Sequence, residues 1–321
     1  MPLPGSPGEE DLATAAADGG LVTAADGGLA IAPDDLRQLA EHDARHRTFT
    51  GGAGPLAGLD TGGDAAAGTV LLVAGYTGSK EDFAPLLRPL RAAGYRVVAL
   101  DQRGQYESPG PDDPARYGVE ELAGDVVAVG RELDVGSPSG VHLVGHSFGG
   151  LVGRAAVLTA PELFRSLTLL GSGPSRLVGP RADLLTHLAP LLDVGGLVLV
   201  QETLDQLAMT DPQAQLVPEP TRQFLARRFL RNSEAGLRGM ADAMTAEPDR
   251  VAELAATGVP VLVAHGSADD AWAPAAQADM ATRLGARYAV IPGAVHSPAV
   301  ENPVRTVEVL VGFWASVGVR P

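Results

Sequence analysis

The chain has 321 residues, a formal net charge of −15 at pH 7 and no cysteine. The lack of cysteine excludes disulfides, thiolate nucleophiles and cysteine metal sites. The acidic charge repels nucleic acid phosphates and anionic lipid headgroups, so we expect neither nucleic acid nor a membrane as a partner. A hydrophobic content of 45% is typical of a globular protein with a buried core.

The first segment of the chain carries few bulky apolar residues. Residues 1–33 are rich in Ala, Gly and Asp and contain a near-repeat, 17–21 against 25–29, so we expect a mobile or loosely docked arm. Proline and acidic residues then favour a short helix over residues 33–40. We identify neither a basic start followed by an apolar stretch nor an apolar run of about 20 residues. The expectation is a cytoplasmic protein without a membrane span.

From about residue 47 onward, short apolar strands alternate with helices. Glycines between short apolar stretches favour a hairpin over residues 47–62. Continuous apolar strands between amphipathic helices are typical of a parallel sheet with helices on both faces. The predicted strands are residues 69–74, 96–100, 141–144, 166–170, 259–264 and 288–291. The predicted helices are residues 80–93, 119–133, 151–158, 275–284 and 304–315.

The alternation is interrupted over residues 176–250, which we call the cap segment. Apolar residues recur here at helical spacing, between Leu184 and Leu192 and again between Phe224 and Met244. An α/β core interrupted by a helical insertion is the simplest explanation. The predicted segments are an arm with a short helix (1–45), a first core part (46–175), a helical cap (176–250) and a second core part (251–321).

Residues 145–149 read Gly-His-Ser-Phe-Gly and match the pattern G-x-S-x-G. Such a match arises by chance in a glycine-rich chain, but this one lies where strand 141–144 ends and a glycine-rich helix begins. This is the strand–turn–helix setting of a nucleophile elbow. Flanking glycines allow close approach of strand and helix, so that the serine can hold a strained backbone. We therefore predict that Ser147 is the nucleophile.

On these features the chain resembles the α/β-hydrolase superfamily over most of its length. The resemblance implies an α/β fold with a mostly parallel central sheet, helices on both faces and an inserted helical cap. It also implies a triad in the order serine, acid, histidine, with the acid after the strand that follows the cap. The spacing from Gly266 favours Asp269, whereas the distance to Pro274 favours the adjacent Asp270. We prefer Asp269 and keep Asp270 open.

The same resemblance implies that the base is His296, in the loop after the last predicted strand. His265 is its serious rival, because it lies at the end of a strand near the expected site. His146 adjoins the nucleophile and cannot swing round to accept its proton. The oxyanion-hole donors implied by the family are the backbone amides of Phe148, which follows the nucleophile, and of Tyr76, in the loop after the first parallel strand.

Residues 101–108 read Asp-Gln-Arg-Gly-Gln-Tyr-Glu-Ser and resemble the family segment D-x-R-G-x-G-x-S, with Tyr106 in place of the second glycine. We interpret this segment as a structural turn that braces the oxyanion loop, residues 74–78. Lys80 is the only lysine in the chain. Almost all basic residues are therefore arginine, and we attribute this preference for arginine over lysine to a GC-rich genome rather than to a function.

The complete set of serine, acid and histidine predicts a serine hydrolase that needs no cofactor and no metal. The expected substrate is a carboxylic ester, thioester or lactone of a small, partly apolar molecule, cleaved through an acyl-enzyme. Carbon–carbon bond hydrolysis, aminopeptidase action and a non-hydrolytic lyase, cyclase or receptor role remain open on the same fold. The sequence does not indicate an oligomeric state.

Overall fold

The computed structural model describes residues 37–135, 140–210 and 214–318. The predicted arm, residues 1–33, lies outside the described residues, as does the beginning of the helix predicted over residues 33–40. The described end of that helix is a short 3₁₀ turn, Arg37–Leu39.

Eight strands form one sheet in the order β1-β2-β4-β3-β5-β6-β7-β8. β1 pairs with β2 as an antiparallel hairpin, β2 pairs antiparallel with β4, and the remaining neighbours are parallel. The predicted hairpin and mostly parallel sheet are therefore confirmed. The strands are β1 (Arg45–Gly51), β2 (Gly54–Asp60), β3 (Gly68–Val73), β4 (Tyr95–Leu100), β5 (Val141–His146), β6 (Phe164–Leu170), β7 (Val261–Gly266) and β8 (Arg287–Ile291).

Helices occupy both faces of this sheet and the cap segment. The α-helices are α1 (Ala84–Ala92), α2 (Val119–Asp134), α3 (Phe148–Thr159), α4 (Pro180–Thr210), α5 (Glu219–Phe229), α6 (Glu234–Ala246), α7 (Val251–Ala256), α8 (Pro274–Leu284), α9 (Pro298–Glu301) and α10 (Pro303–Ser316). The helix predicted from residue 80 begins instead as a 3₁₀ turn, Lys80–Phe83, whose start carries a capping box formed by Ser79 and Asp82.

Side chains of the parallel strands alternate between two separate apolar cores. In β3, Val70 and Leu72 belong to the core that also contains residues of α1 and α10, whereas Leu71 and Val73 belong to the core on the opposite face, with residues of α2, α3 and α8. Both faces of a parallel strand are thus buried, which explains why these strands are continuous apolar runs in the sequence.

The start of β7 differs from the prediction. The strand was expected over residues 259–264 but runs from Val261 to Gly266, and the short helix α7 precedes it. Pro260 has no N–H to donate to a sheet, and its carbonyl accepts from Leu167 N–H at 3.0 Å just before the strand begins. Helix α7 has only six residues, too few for a helical period to be recognised in the sequence.

The cap segment contains α4, α5 and α6, and its division from the core stays a prediction. Gly196 adopts a left-handed conformation (φ 62°) and divides α4 into two helical parts. Buried side chains of the three helices form their own apolar cluster: Leu192, Val200, Phe229 and Leu237.

Helix α4 also bears on the expectation that the chain lacks a membrane span. Among the described residues, this one helix is long and apolar enough to cross a bilayer by length and composition, which differs from the expectation that the chain has no such run. Only 17% of its apolar window is buried. A single helix of this kind is weak evidence for a span, and its backbone departs from helical angles at Gly196.

Candidate active site

The sharp turn between β5 and α3 holds Ser147. Its backbone lies in the left-handed region (φ 55°, ψ −122°), which a residue with a Cβ rarely adopts. Its N–H donates to Leu170 O at 2.9 Å, so a neighbouring strand fixes the turn. A strained, over-determined residue of this kind costs of order 1–3 kcal/mol and is typical of functional positions.

The glycines that flank Ser147 are required by close approach. A Cβ on Gly145 would lie 2.2 Å from Gly149 O, and a Cβ on Gly149 would lie 2.5 Å from the carbonyl oxygens of Val73 and Ala74. Any larger residue would therefore separate α3 from the two central strands. This is the physical reason for both glycines of the G-x-S-x-G pattern.

The structure brings Ser147, His296 and Asp269 into one hydrogen-bonded chain. His296 Nε2 lies 2.9 Å from Ser147 Oγ, and His296 Nδ1 lies 3.0 Å from Asp269 Oδ1. All three residues are at least nine-tenths buried. They follow β5, β7 and β8, whose carboxyl ends meet at one edge of the sheet.

Asp270, the alternative acid, points elsewhere. It is exposed and forms an ion pair with Arg181 of α4 at 2.6 Å. Asp269 is buried, and besides His296 it accepts from Ala271 N–H and from Gln277 Nε2, each at 3.0 Å. Burial opposes ionisation of Asp269, but the hydrogen bonds and charge of His296 and the other two donors outweigh it and lower its pKa. Asp269 is thus the carboxylate directed at the imidazole.

Gln277 was not singled out in the sequence. It projects from α8, and its Nε2 also donates to Trp272 O at 2.8 Å, so its amide is fixed while it holds Asp269. No local pattern could have identified it, because the contact depends on how α8 packs beside β7.

The two histidines nearest the site have other partners. His265 lies with Nε2 2.7 Å from Tyr288 Oη and Nδ1 2.7 Å from Gly266 O, away from Ser147. His146 lies beside His296, with Nε2 2.8 Å from the His296 carbonyl oxygen. Burial, reinforced by the neighbouring His296, lowers the pKa of His146 to about 4, so this ring is neutral near pH 7 and donates to that carbonyl.

The loop after β3 lies directly against the serine. A Cβ on Gly75 would lie 2.9 Å from Ser147 Cβ, and Tyr76 lines the same cavity as Ser147. Phe148 is the first residue of α3, whose initial N–H groups have no partner within the helix. The structure therefore brings both predicted amide donors to the neighbourhood of Ser147.

Residues 101–108 brace this loop, in the way that the sequence predicted. Gln102 Nε2 donates to Ala74 O at 2.7 Å, and Gln105 Nε2 donates to Gly75 O at 2.8 Å. Tyr106 stands where the family segment has glycine, and its backbone has a positive φ of 43°, which glycine adopts more readily. Its ring lies 4.7 Å from Lys80 Nζ.

Lys80 has a structural role that its rarity did not reveal. Its side chain is fully buried and its Nζ contacts Asp101, Glu107 and Glu81, each at 2.9 Å. Burial opposes its charge, but the three carboxylates outweigh burial and raise its pKa. Burial raises the pKa of Asp101 to about 7 against the opposing effect of Lys80. The contacts favour the charged pair of Lys80 and Asp101, because Asp101 also accepts a hydrogen bond from the backbone N–H of Lys80 at 2.7 Å.

A cavity of about 710 Å³ opens above Ser147 and His296. Its roof comes from the cap segment and is mainly leucine: Leu184, Leu185, Leu188, Leu192, Leu204 and Leu237. Three arginines line it, and each forms an ion pair: Arg181 with Asp270, Arg228 with Asp82 and Arg238 with Asp193. The cavity suits a mainly apolar, uncharged ligand.

One group of side chains among the described residues has metal-ligand proximity. Ligand atoms of Asp269, Asp270 and His296 lie within 4.8 Å of one another. Both ring nitrogens of His296 and both oxygens of Asp269 are, however, engaged by Ser147, Gln277 and each other. These contacts suit proton transfer better than metal coordination.

Comparison with known proteins identifies the family of the chain. The model of the alpha/beta hydrolase family matches residues 70–309, most of the chain. The chain is 31% identical over 270 residues to a rhodomycin D methylesterase of Streptomyces sp. (strain C5), covering 74% of this chain and 89% of that protein.

Of two further similarities, one covers a short part of the chain and the other has low sequence identity. A putative carbamate hydrolase of Variovorax paradoxus (strain S110) is 43% identical over 103 residues, covering 32% of this chain and 37% of that protein. The crystal structure of the enol-lactonase from Burkholderia xenovorans LB400 superposes with a TM-score of 0.71 at 23% identity, covering 84% of this chain and 100% of that one. The first match spans little more than a third of its relative, and the second shows the fold.

Proposed function

Because the chain belongs to the alpha/beta hydrolase family, we propose that it is a serine esterase that cleaves a carboxylic ester of a small, partly apolar molecule. The observation that carries the proposal is the hydrogen-bonded chain from Ser147 Oγ through His296 to Asp269. A nucleophile, a base within reach and a group that orients the base are the three parts that acyl transfer needs.

The first half of the reaction forms an acyl-enzyme. Ser147 Oγ attacks the ester carbonyl carbon while His296 Nε2 accepts the hydroxyl proton. Asp269 holds the Nδ1–H tautomer of His296 and stabilises the imidazolium that results. The amides of Tyr76 and Phe148 stabilise the oxyanion, and His296 then returns the proton to the departing alcohol as its bond to carbon breaks.

In the second half of the reaction, water hydrolyses the acyl-enzyme. His296 accepts a proton from water, whose oxygen attacks the acyl carbon. The bond to Ser147 Oγ then breaks, the serine regains its proton from His296, and the carboxylic acid is released. Since His296 alternates between base and acid, its loss should affect both halves.

Substrate class follows from the cavity and from one relative. The leucine-rich roof and the paired arginines favour an apolar, uncharged acyl group. The similarity to a methylesterase, which extends over 89% of that relative, favours a carboxylic ester over the thioester, lactone, amide and carbon–carbon alternatives. We therefore propose that the acyl group occupies the cavity.

The test of the reaction is hydrolysis of p-nitrophenyl esters and of the matching methyl esters by wild type and Ser147→Ala. We expect turnover to fall by about four to six orders of magnitude in the variant, with the melting temperature unchanged, as for triad deletions elsewhere. A variant that kept a tenth of wild-type activity would refute Ser147 as nucleophile.

Acyl-chain selectivity tests the site of substrate binding. Leu188→Ala removes about 1–3 kcal/mol of apolar contact from the cavity roof, the scale on which pockets distinguish neighbouring chain lengths. We expect the chain-length optimum to shift while acetate hydrolysis stays within about tenfold of wild type. Leu207→Ala, at an exposed position in the second part of α4 and outside the cavity lining, is the matched control. If the two variants had the same profile, the acyl group would lie elsewhere.

A further inference from the structure

Arg228 of α5 links the cap segment to the oxyanion loop. Arg228 is nine-tenths buried, and its Nη1 donates to Asp82 Oδ1 at 2.6 Å and to Ser79 Oγ at 3.3 Å. Arg228 and Asp82 both line the cavity that contains Ser147. A charge-assisted bond of this kind, shielded from water, is short and strong compared with a surface ion pair.

Asp82 in turn supports the end of the loop. Its Oδ2 accepts from Ser79 N–H at 3.1 Å, and a Cβ on Gly78 would lie 2.6 Å from the same oxygen. Gly78 N–H donates to Gly75 O at 3.0 Å and closes the turn that contains Tyr76. The position of Asp82 therefore sets the position of the turn through direct contact.

The two sides of the loop are held by different parts of the chain. Gln102 and Gln105, from the core, hold the carbonyls of Ala74 and Gly75. Arg228, from the cap segment, holds the opposite side through Asp82. Burial opposes the charge of Asp82, but Arg228 and the other hydrogen bonds outweigh it and lower the pKa of Asp82.

We propose that Arg228 is a positioning residue, which places the Tyr76 amide for oxyanion stabilisation by holding Asp82 against the Gly75–Gly78 turn. The inference rests on the proposed function, in which that amide is an oxyanion donor. Loss of the Arg228 contact then weakens transition-state stabilisation and leaves ground-state binding of the ester nearly intact.

The magnitude follows from oxyanion-hole energetics. Removal of a donor costs about 10²–10³ in kcat, and a misplacement of about 1 Å costs as much as about 10²-fold. Because Arg228→Met keeps the donor and loosens its support, we expect kcat to fall by about 10- to 100-fold with KM within about threefold.

The experiment measures kcat and KM for one p-nitrophenyl ester, per active site titrated with a fluorophosphonate, in wild type, Arg228→Met, Arg228→Lys and Arg227→Met. Arg227 is the adjacent residue on the same helix and is exposed, so its variant should behave as wild type. Arg228→Lys keeps a cation that can reach Asp82 and should recover at least half of the loss on a logarithmic scale.

A boronic acid separates positioning from general loss of structure. It forms a tetrahedral adduct on Ser147 that uses the oxyanion donors, so its inhibition constant should rise in Arg228→Met by about the factor by which kcat falls. If Arg228→Met does not fold, Asp82→Asn, which weakens the same pair, should give the same fall in kcat and the same rise in this constant.

Three results would overturn the proposal while leaving the esterase assignment intact. These are an unchanged kcat in a folded Arg228→Met, a raised KM with unchanged kcat, and an unchanged boronic acid constant despite a fall in kcat. A wild-type enzyme that neither hydrolyses esters nor reacts with the fluorophosphonate would refute the proposed function itself, whatever the variants do.

Discussion

Asp269 and Asp270 are adjacent in the chain and meet opposite surroundings. Asp269 is buried against His296, and Asp270 is exposed and paired with Arg181. Only a carboxylate bonded to the imidazole can set its tautomer and stabilise its charged form. An exposed ion pair contributes at most about 1 kcal/mol.

Substitution of each aspartate should therefore give unequal effects. We expect Asp269→Asn to lower kcat by about 10⁴, the scale of the same change in a serine protease triad, and Asp270→Asn to lower it less than about tenfold. Steady-state kinetics of the two variants on one ester measures the ranking. The reverse order would assign the acid to Asp270.

At the scale of single residues, local patterns indicated the residues proposed for catalysis but not the side chains that hold them in place. Ser147 could be predicted because the G-x-S-x-G pattern and its glycines are contiguous in the chain. Gln277 could not, because it reaches Asp269 only once α8 has packed against β7. Lys80 could not either, since lysine is almost never fully buried unless it is paired, and its acidic partners come from different segments.

At the scale of elements, Arg154 joins α3, the helix that follows Ser147, to both ends of the cap segment. Its Nη1 donates to Pro174 O, just before the segment begins, and its Nη2 donates to Glu247 Oε1 at 2.7 Å, near the segment's end. The arginine is 1% exposed and the glutamate 5%. Burial raises the pKa of Glu247 despite Arg154, so this carboxylate depends on its partner for charge.

Breaking this pair should destabilise the fold. Arg154→Met leaves Glu247 buried without a partner, which costs about 3–5 kcal/mol for a buried ion pair. Adding Glu247→Leu removes the unpaired group and should restore a large part of the loss, because apolar replacement of a whole buried pair is often neutral. Urea unfolding measures both. A loss below about 1 kcal/mol in the single variant would show that the pair does not stabilise the fold.

Elements buried on both faces were the most predictable. Strands β3 to β6 are continuous apolar runs, because α-helices cover both sides of the sheet, and they lie within about two residues of their predicted positions. The start of β7 and the helix α7 were missed. Their boundaries depend on where Pro260 meets Leu167 of β6, a contact between distant segments.

At the scale of the whole molecule, a buried histidine couples stability to pH. His142 in β5 lies 2.7 Å from Ser166 Oγ through Nδ1 and stacks on Trp314. Burial, with a smaller effect of Arg165, lowers the pKa of His142 from 6.5 to about 3. The unfolded chain therefore binds a proton that the native protein rejects as pH falls below about 6.5.

Because the unfolded chain binds this extra proton, the protein loses stability as the pH falls. Between about pH 6.5 and 4.5 each such histidine lowers the free energy of unfolding by up to about 1.4 kcal/mol per pH unit. His142→Gln should flatten this slope by up to that amount, whereas His187→Gln, at an exposed position of α4, should not. Urea unfolding across this range measures the slopes. Equal slopes in wild type and His142→Gln would contradict the burial effect.

The long-range contacts explain what a sequence could not reveal about the whole molecule. Family resemblance, order of elements and a helical insertion could all be inferred from residues near one another in the chain. Arg228 and Asp82 are separated by 146 positions and meet only because the cap segment folds back on the core. Both residues line the cavity above Ser147, so the shape of that cavity depends on how the cap segment packs on the core.

Covalent labelling bears most directly on the chemistry of Ser147. The wild-type protein would be reacted with a fluorophosphonate, digested and mapped by mass spectrometry, alongside Ser147→Ala and His296→Ala. We predict one label on the peptide that contains Ser147, none in Ser147→Ala, and a rate at least about 10³-fold lower in His296→Ala, because the unassisted hydroxyl is a weak nucleophile. Labelling at another residue, or an undiminished rate without His296, would contradict the assignment of nucleophile and base.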